Sequence, residues 1–377
     1  MFLNHGSFGA CPKPVFQTYQ DWQRTLEAQP VAFLDQTRGI LDRMALVRRA
    51  LAKELGADAD DLVGVENATA GLNAVARSLD LGPGDEILTT DHEYNALNNT
   101  WAFVAQQTGA KIVVVKIDVP LVSEDAFTQA MTDAMTERTK VVFLSHITSP
   151  TALIFPIKSV IREARTRGIT SVIDGAHAPG LIDLNLNQID ADFYAGNCHK
   201  WMMAPKGAAF LWARKDVQGR LDPTVVSHGW VPHGDMPDQQ GAFGNSRFID
   251  AFEFQGTRDP SAWLTVPKAI EFKRENNWAE VTQKAQDLAM DAARRISSNT
   301  SLPLLGADEF LAKQMIALPV PECNVDDVKR HLLDACNIEI PVFRWNDICI
   351  TRISVQGYNS VEDAQRLVEA LSDLFPA

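Results

Sequence analysis

The sequence predicts an α/β protein: a large domain on a mostly parallel sheet covered by helices, and a smaller C-terminal α+β domain. Three observations carry this. Short apolar runs alternate with stretches of helical periodicity between residues 60 and 212. Several of those runs, 140–146 above all, are nearly all apolar, as strands buried on both faces must be. Beyond residue 260 a long helical stretch intervenes, and the alternation then resumes in shorter elements.

The chain opens on Leu3-Asn4-His5-Gly6-Ser7-Phe8-Gly9, with Pro12 and Pro14 close behind, a turn-rich stretch not expected to form a regular helix. Its abrupt start at Met1-Phe2-Leu3-Asn4 is compatible with a further upstream segment. A helical stretch follows, in which 40–55 is amphipathic and stops at Gly56. Residues 60–66 read as a short strand. Asn67-Ala68-Thr69-Ala70-Gly71 then opens a helix with small and polar residues. Its exposed N–H groups and positive dipole end suit an anion, and an ordinary N-cap explains the same residues.

Strands at 85–90, 111–117, 140–146, 170–174, 191–195 and 208–212 alternate with helices at 96–108, from Ser123, and at 156–168. With 60–66 they make seven strands. Ser123 lacks the reach-back Glu of a full capping box. Residues 219–247, rich in Gly, Pro, His and Asp, read as a long loop ordered by ligand or partner, and His228, Trp230 and His233 as shaping a substrate pocket. A single helix over about 262–297 leads to strands at 312–318, 338–342 and 348–354 and helices at 325–335 and 361–371. There is no internal repeat and no low-complexity segment.

Bulk properties narrow the function. A net charge of −13 over 377 residues argues against nucleic acid and anionic membrane as partners, while leaving room for a locally basic pocket. No apolar run is long enough to span a bilayer, and no secretory n-region precedes an apolar core. The five cysteines (Cys11, Cys198, Cys323, Cys336, Cys349) are scattered, with no CxxC pair, so neither zinc nor a disulfide framework is expected. A reduced cytoplasm fits this usage.

In a sheet of this kind ligands gather at the carboxyl ends of the strands. The residues just past the expected strands are Asn67 to Thr69, Asp91 to Asn95, His146, Asp174 to His177 and Asn197 to Lys200, polar or ionisable each time. Lys200 follows one strand-like run and precedes another, in Asn197-Cys198-His199-Lys200-Trp201. An amine between apolar walls has a lowered pKa, and a neutral amine attacks an aldehyde. Lys200 is therefore a candidate for a Schiff base with pyridoxal phosphate; pairing with a nearby carboxylate is the other reading. Asp174, at a buried strand end, needs a cationic partner, which a protonated pyridine nitrogen or a structural ion pair would supply.

The order of a Thr-containing turn, an aromatic-or-His turn, Asp174-Gly175-Ala176-His177 and His199-Lys200 resembles the class V aminotransferase family of fold type I pyridoxal phosphate enzymes, over nearly the whole chain. Thr351-Arg352-Ile353-Ser354-Val355-Gln356-Gly357-Tyr358-Asn359 is similar to that family's Arg-x-Ser-x-x-x-Tyr-Asn motif. The opening Leu-Asn-His-Gly-Ser-Phe-Gly, the Asp91-His92-Glu93-Tyr94 turn and Phe252-Glu253-Phe254-Gln255-Gly256-Thr257-Arg258-Asp259 resemble the isopenicillin N epimerase-like branch.

The resemblance implies a cofactor, pyridoxal 5'-phosphate, and a set of roles. Lys200 is the Schiff-base lysine and proton shuttle. Asp174 pairs with the pyridine nitrogen, and His177 lies near the ring's phenolate oxygen. Ala68 and Thr69 bind phosphate through backbone N–H and hydroxyl, with further contacts from Asn197 and His199. His146 sits beside the ring. Tyr94 stacks on it, with His92 as runner-up. Arg352 forks onto the substrate carboxylate, a bidentate task that lysine performs badly. Gly256-Thr257 reaches the phosphate of a neighbouring subunit, which implies a homodimer. It implies a segment 1–20 packing at the active site, a large domain over 21–260, and a linking helix with a small domain over 261–377. One departure matters. The run 340–347 leads directly into the Arg352 strand, too short for the reactive-cysteine loop of desulfurases, and Cys349 is expected inside that strand.

The expected function is chemistry at Cα of an amino acid or amino-acid-like substrate: epimerisation, with transamination or β-elimination as alternatives. A nucleotide-binding oxidoreductase is the alternative outside the family, against which no Gly-x-Gly-x-x-Gly follows the first strand. An inactive binding protein is another, but it would have no need of Lys200, Asp174 and Arg352 together.

Overall fold

A computed structural model describes residues 1–234 and 239–376. Seven strands form the larger sheet: β1 (Leu62–Val65), β2 (Glu86–Thr90), β3 (Lys111–Val115), β4 (Thr139–Ser145), β5 (Thr170–Asp174), β6 (Phe193–Asn197) and β7 (Ala209–Ala213). Their order is β1-β7-β6-β5-β4-β2-β3. Strand β7 alone runs antiparallel, pairing with β6 on one side and β1 on the other. The α/β fold with a mostly parallel seven-stranded sheet is thus as expected.

Side-chain alternation divides the sheet between two cores. From β4, Val141 and Phe143 pack with Leu72, Leu97 and Trp101 of the helices Ala68–Ser78 and Asn95–Thr108. Val142 and Leu144 face the other way, toward Val160 and Ile161 of the helix Ile157–Thr166 and Leu51 of the helix Ile40–Leu55. Both faces being covered, the strands read as apolar runs rather than alternating ones.

The second sheet has three antiparallel strands, β8 (Met315–Val320), β9 (Val342–Trp345) and β10 (Ile348–Ser354), in the order β8-β10-β9. Two expected strands here move. The strand expected at 312–318 extends to Val320, because β8 lies at the edge, where Pro319 needs no ladder donor. The strand expected at 338–342 lies instead at β9. Asn346 and Asp347 join it to β10 as a two-residue hairpin turn, with Asn346 at φ 48°. The amino-terminal residues run beside this sheet, Phe2 bridging Glu339 and Asn4 bridging Ser354.

Two helical expectations also change. Residues 5–8, expected to be irregular, make one helical turn. It ends at Gly9, whose φ of 71° and whose position 2.0 Å (from an added Cβ) to the His199 carbonyl oxygen exclude other residues. The single helix expected over 262–297 is three: Ser261–Leu264, Val266–Glu275 and Trp278–Thr300. Pro267 cannot continue a helix from Trp263, and Asn277 adopts the left-handed region. The expected long loop 219–247 has no regular element between the 3-10 turn Lys215–Arg220 and the helix Arg247–Glu253 among its described residues; 235–238 lie outside them.

Candidate active site

The carboxyl ends of β1, β2, β4, β5 and β6 converge on a cavity of about 510 Å³. Lys200 enters it from the loop after β6. That loop folds back on itself: the Cys198 and His199 amides donate to the Ala208 carbonyl, and the Met203 amide donates to that of Lys200. Residue 200 is pinned further by His5, whose Nε2 lies 3.1 Å from its carbonyl oxygen. Burial and the nearby Arg352 guanidinium lower the Lys200 amine to about 7, against the pull of Asp174.

Asp174 ends β5 and is 4 % exposed. Its Oδ1 accepts the Ala176 amide at 2.9 Å, and burial raises its pKa. The next residue must be glycine, since a Cβ at Gly175 would lie 2.0 Å from the Tyr194 ring. His177 follows, its Nε2 3.0 Å from Lys200 Nζ, while the Trp201 indole N–H donates to its Nδ1 at 3.3 Å. Burial holds His177 well below the ordinary histidine range.

The amino end of the helix Ala68–Ser78 forms the opposite wall. Its first amides are divided. That of Ala68 donates to Asn197 Oδ1 at 2.9 Å and that of Ala70 to Asn67 Oδ1 at 2.8 Å. Thr69 faces the cavity, and so do Asn197 and His199. The Ala68 amide, expected to bind phosphate, is the one that Asn197 Oδ1 accepts here. Lys206, absent from the sequence reading, also lines this end, with Nζ 2.8 Å from the Gly9 carbonyl oxygen. Its signal was a second cation in the same turn as Lys200.

Arg352, on β10, is 5 % exposed. One terminal nitrogen donates to the Ser149 carbonyl and to its Oγ (3.1 Å), and the other to Ser7 Oγ at 3.3 Å. Its Nε is buried without a partner. Tyr94 lines both this cavity and an adjoining chamber of about 550 Å³ that reaches Arg352.

Two expected positions, His92 and His146, lie off this cavity. His92 is buried off the cavity, bonded to Thr151 Oγ1 and the Ile117 carbonyl and packed on Trp345. His146 lies between Ser145 and Ile147, which line the cavity. Its own ring turns to the Tyr194 hydroxyl (2.9 Å), as strand alternation requires. Thr257 lines a separate pocket with Gly256 and His228. Trp230 and His233 both bond Asp222 rather than face Lys200. Glu93, named in the Asp91-His92-Glu93-Tyr94 turn but given no role there, is buried and pushed up to about 8, and accepts from Thr90 Oγ1 and from the Ser145 amide and hydroxyl.

Comparison with known proteins decides the affiliation. The family profile described as Aminotransferase class-V matches residues 4–367. The chain belongs to the class V aminotransferase family. Relatives of this family member include the isopenicillin N epimerase of Amycolatopsis lactamdurans, 37% identical over 99% of this chain and 94% of that protein. A probable chloroplastic L-cysteine desulfhydrase of Arabidopsis thaliana is 28% identical over 99% and 82%. Among solved structures, a cysteine desulfurase from Escherichia coli superposes with a TM-score of 0.81 at 20% identity, over 99% and 94% of the two chains. The family is one of pyridoxal-phosphate-dependent enzymes, so the cofactor is pyridoxal 5'-phosphate and the oxidoreductase and inactive-protein readings fall.

The residues fit that group. A buried amine at about 7 faces a buried carboxylate across the cavity, and Thr69, Asn197 and Lys206 form a polar end for a phosphate. No cysteine lines either chamber among the described residues, and Cys349 is 2 % exposed within β10.

Proposed function

We propose that this family member abstracts the Cα proton of an α-amino acid with a bulky side chain and delivers a different, solvent-derived proton to the opposite face, as an epimerase. The bound cofactor supplies an aldehyde for an amine and a ring that withdraws electrons from Cα. Lys200 holds that aldehyde and moves the proton. Asp174 keeps the ring nitrogen charged, and His177 donates a hydrogen bond toward the ring oxygen. Thr69, Asn197, His199 and Lys206 hold the phosphate, and Tyr94 covers the ring face. Arg352 grips the substrate carboxylate, which would satisfy its lone Nε as well as its terminal nitrogens. The second face needs its own acid, for which we propose Glu93 or Tyr94, both of which line the adjoining chamber.

One observation supports a bulky substrate over cysteine. The 550 Å³ chamber beside Lys200 and Arg352 is walled by Phe8, Tyr94, Phe343 and Trp345, far more apolar surface than a thiomethyl group can cover. The two epimerase relatives, at 37% and 35% identity, favour the same reading over C–S cleavage. We further propose a homodimer in which Thr257 completes the neighbour's phosphate site.

The test is Cα deuterium exchange across a panel of amino acids, with isopenicillin N included, followed by chiral analysis and by keto-acid and sulfide assays. Inversion with solvent deuterium at Cα, and with neither keto acid nor sulfide, is expected. Sulfide release from cysteine with no inversion of any bulky substrate would replace this reading with C–S lyase chemistry.

A further inference from the structure

We infer that Trp201 is a positioning residue that fixes the tautomer of His177, leaving Nδ1 bare and the proton on Nε2, so that His177 is a permanent hydrogen-bond donor into the cofactor cavity. An indole N–H only donates. It lies 3.3 Å from His177 Nδ1, so that nitrogen accepts and carries no proton. A neutral imidazole holds its proton on the other nitrogen. That nitrogen, Nε2, is 3.0 Å from Lys200 Nζ. The contact is a hydrogen bond only if the amine accepts, which an ammonium cannot do. Trp201 thus favours the neutral, nucleophilic form of Lys200 through His177.

The indole is itself held. Trp201 is 1 % exposed, and the His5 ring packs on it with centroids 5.0 Å apart. The charged and titratable groups around the pair act in the same sense. His177 faces Lys200, Arg352 and His199, all of which oppose an imidazolium. Lys200 faces Arg352, which opposes an ammonium, and Asp174, which favours one. Protonation of Nδ1 would turn an N–H against the indole N–H, and Nε2 is already occupied. His177 therefore keeps its Nε2 proton and transfers none in the reaction, and the second acid is sought in the Glu93 and Tyr94 chamber. That last step rests on the proposed epimerase reading; the tautomer does not.

The test uses the full-length chain without substrate, so its failure is separate from failure of the epimerase reading. Long-range 15N–1H correlations of labelled histidine should report Nε2–H for His177 in the native chain and Nδ1–H in Trp201→Phe. The pH midpoint for acylation of Lys200 in the cofactor-free chain should rise by about one unit in Trp201→Phe, slowing labelling near neutrality up to about tenfold. In a His177→Gln background the same Trp201→Phe change should move the midpoint no further. Retention of Nε2–H in Trp201→Phe would overturn the inference. So would an equal shift in the His177→Gln background, since the effect would then come through packing. Native-like circular dichroism and folding of Trp201→Phe accompany these readings, and Trp201→His, which restores an N–H donor, should recover the native midpoint.

Discussion

Lys200 owes its reactivity to the atoms around Nζ. Burial and Arg352 push its amine to about 7, and the His177 N–H stabilises the neutral form. The sign follows directly. Below pH 7 the amine is protonated and cannot attack an aldehyde; above it the neutral form predominates. The rate of pyridoxal phosphate association should therefore fall about tenfold per pH unit below 7 and level off above it. Stopped-flow absorbance checks this, and a midpoint near that of an ordinary lysine would contradict it. Lys200→Ala should abolish borohydride-trappable colour and lower turnover by on the order of 10³-fold or more. Glu93 presents the complementary case. Its carboxyl, pushed to about 8, keeps its proton through neutrality and so can donate one. Glu93→Gln preserves the acceptor for Ser145 but removes the acid. It should leave Cα deuterium exchange from one enantiomer largely intact while slowing inversion by on the order of 10²-fold. Parallel loss of both would make Glu93 structural.

Strand ends account for where these residues stand. Each of β1, β2, β4, β5 and β6 delivers its next residues to one rim, and that rule made much of the cavity legible in the sequence. Asp174, His177, Asn197, His199 and Lys200 could be named because they sit at the end of an expected strand or within five residues of it. What failed was of a finer grain. His146 was assigned by position, yet alternation beyond β4 turns it toward Tyr194 and brings Ser145 and Ile147 to the cavity instead. The long-range bond from the Ala68 amide to Asn197 Oδ1 was likewise not foreseen. Such pairings depend on which side chains meet across elements, and local spacing does not encode that. The hairpin at Asn346-Asp347 and the break at Pro267 were legible in turn chemistry and were overlooked. Gly175 tests how tightly a strand end is specified. A Cβ there would overlap the Tyr194 ring behind Asp174, whereas Gly219 meets nothing within 4 Å. Gly175→Ala should lower stability by about 2–4 kcal/mol, and Gly219→Ala should stay within about 0.5 kcal/mol of native. Urea denaturation of both variants makes the comparison.

At the scale of the molecule, a chain of net charge −13 gathers Lys200, Lys206 and Arg352 around one interior space. Local positive charge of this kind attracts an anionic cofactor and an α-carboxylate. Thr257 stands apart from this cluster, in a pocket of its own with His228. It does not line the Lys200 cavity of its own protomer; across the two-fold axis of the proposed dimer it would meet the neighbour's phosphate. Mixed dimers separate the two possibilities. Lys200→Ala removes the amine, and Thr257→Trp would block the neighbour's phosphate; each homodimer should be nearly inactive. When the two variants are dissociated and reassembled together, half of the dimers are mixed. In a shared-site dimer one of the two sites then combines Lys200 from one subunit with Thr257 from the other, both native. Activity should return to about a quarter of the native value. If each site is built from a single chain, every site in the mixture carries one lesion, and assembly restores nothing.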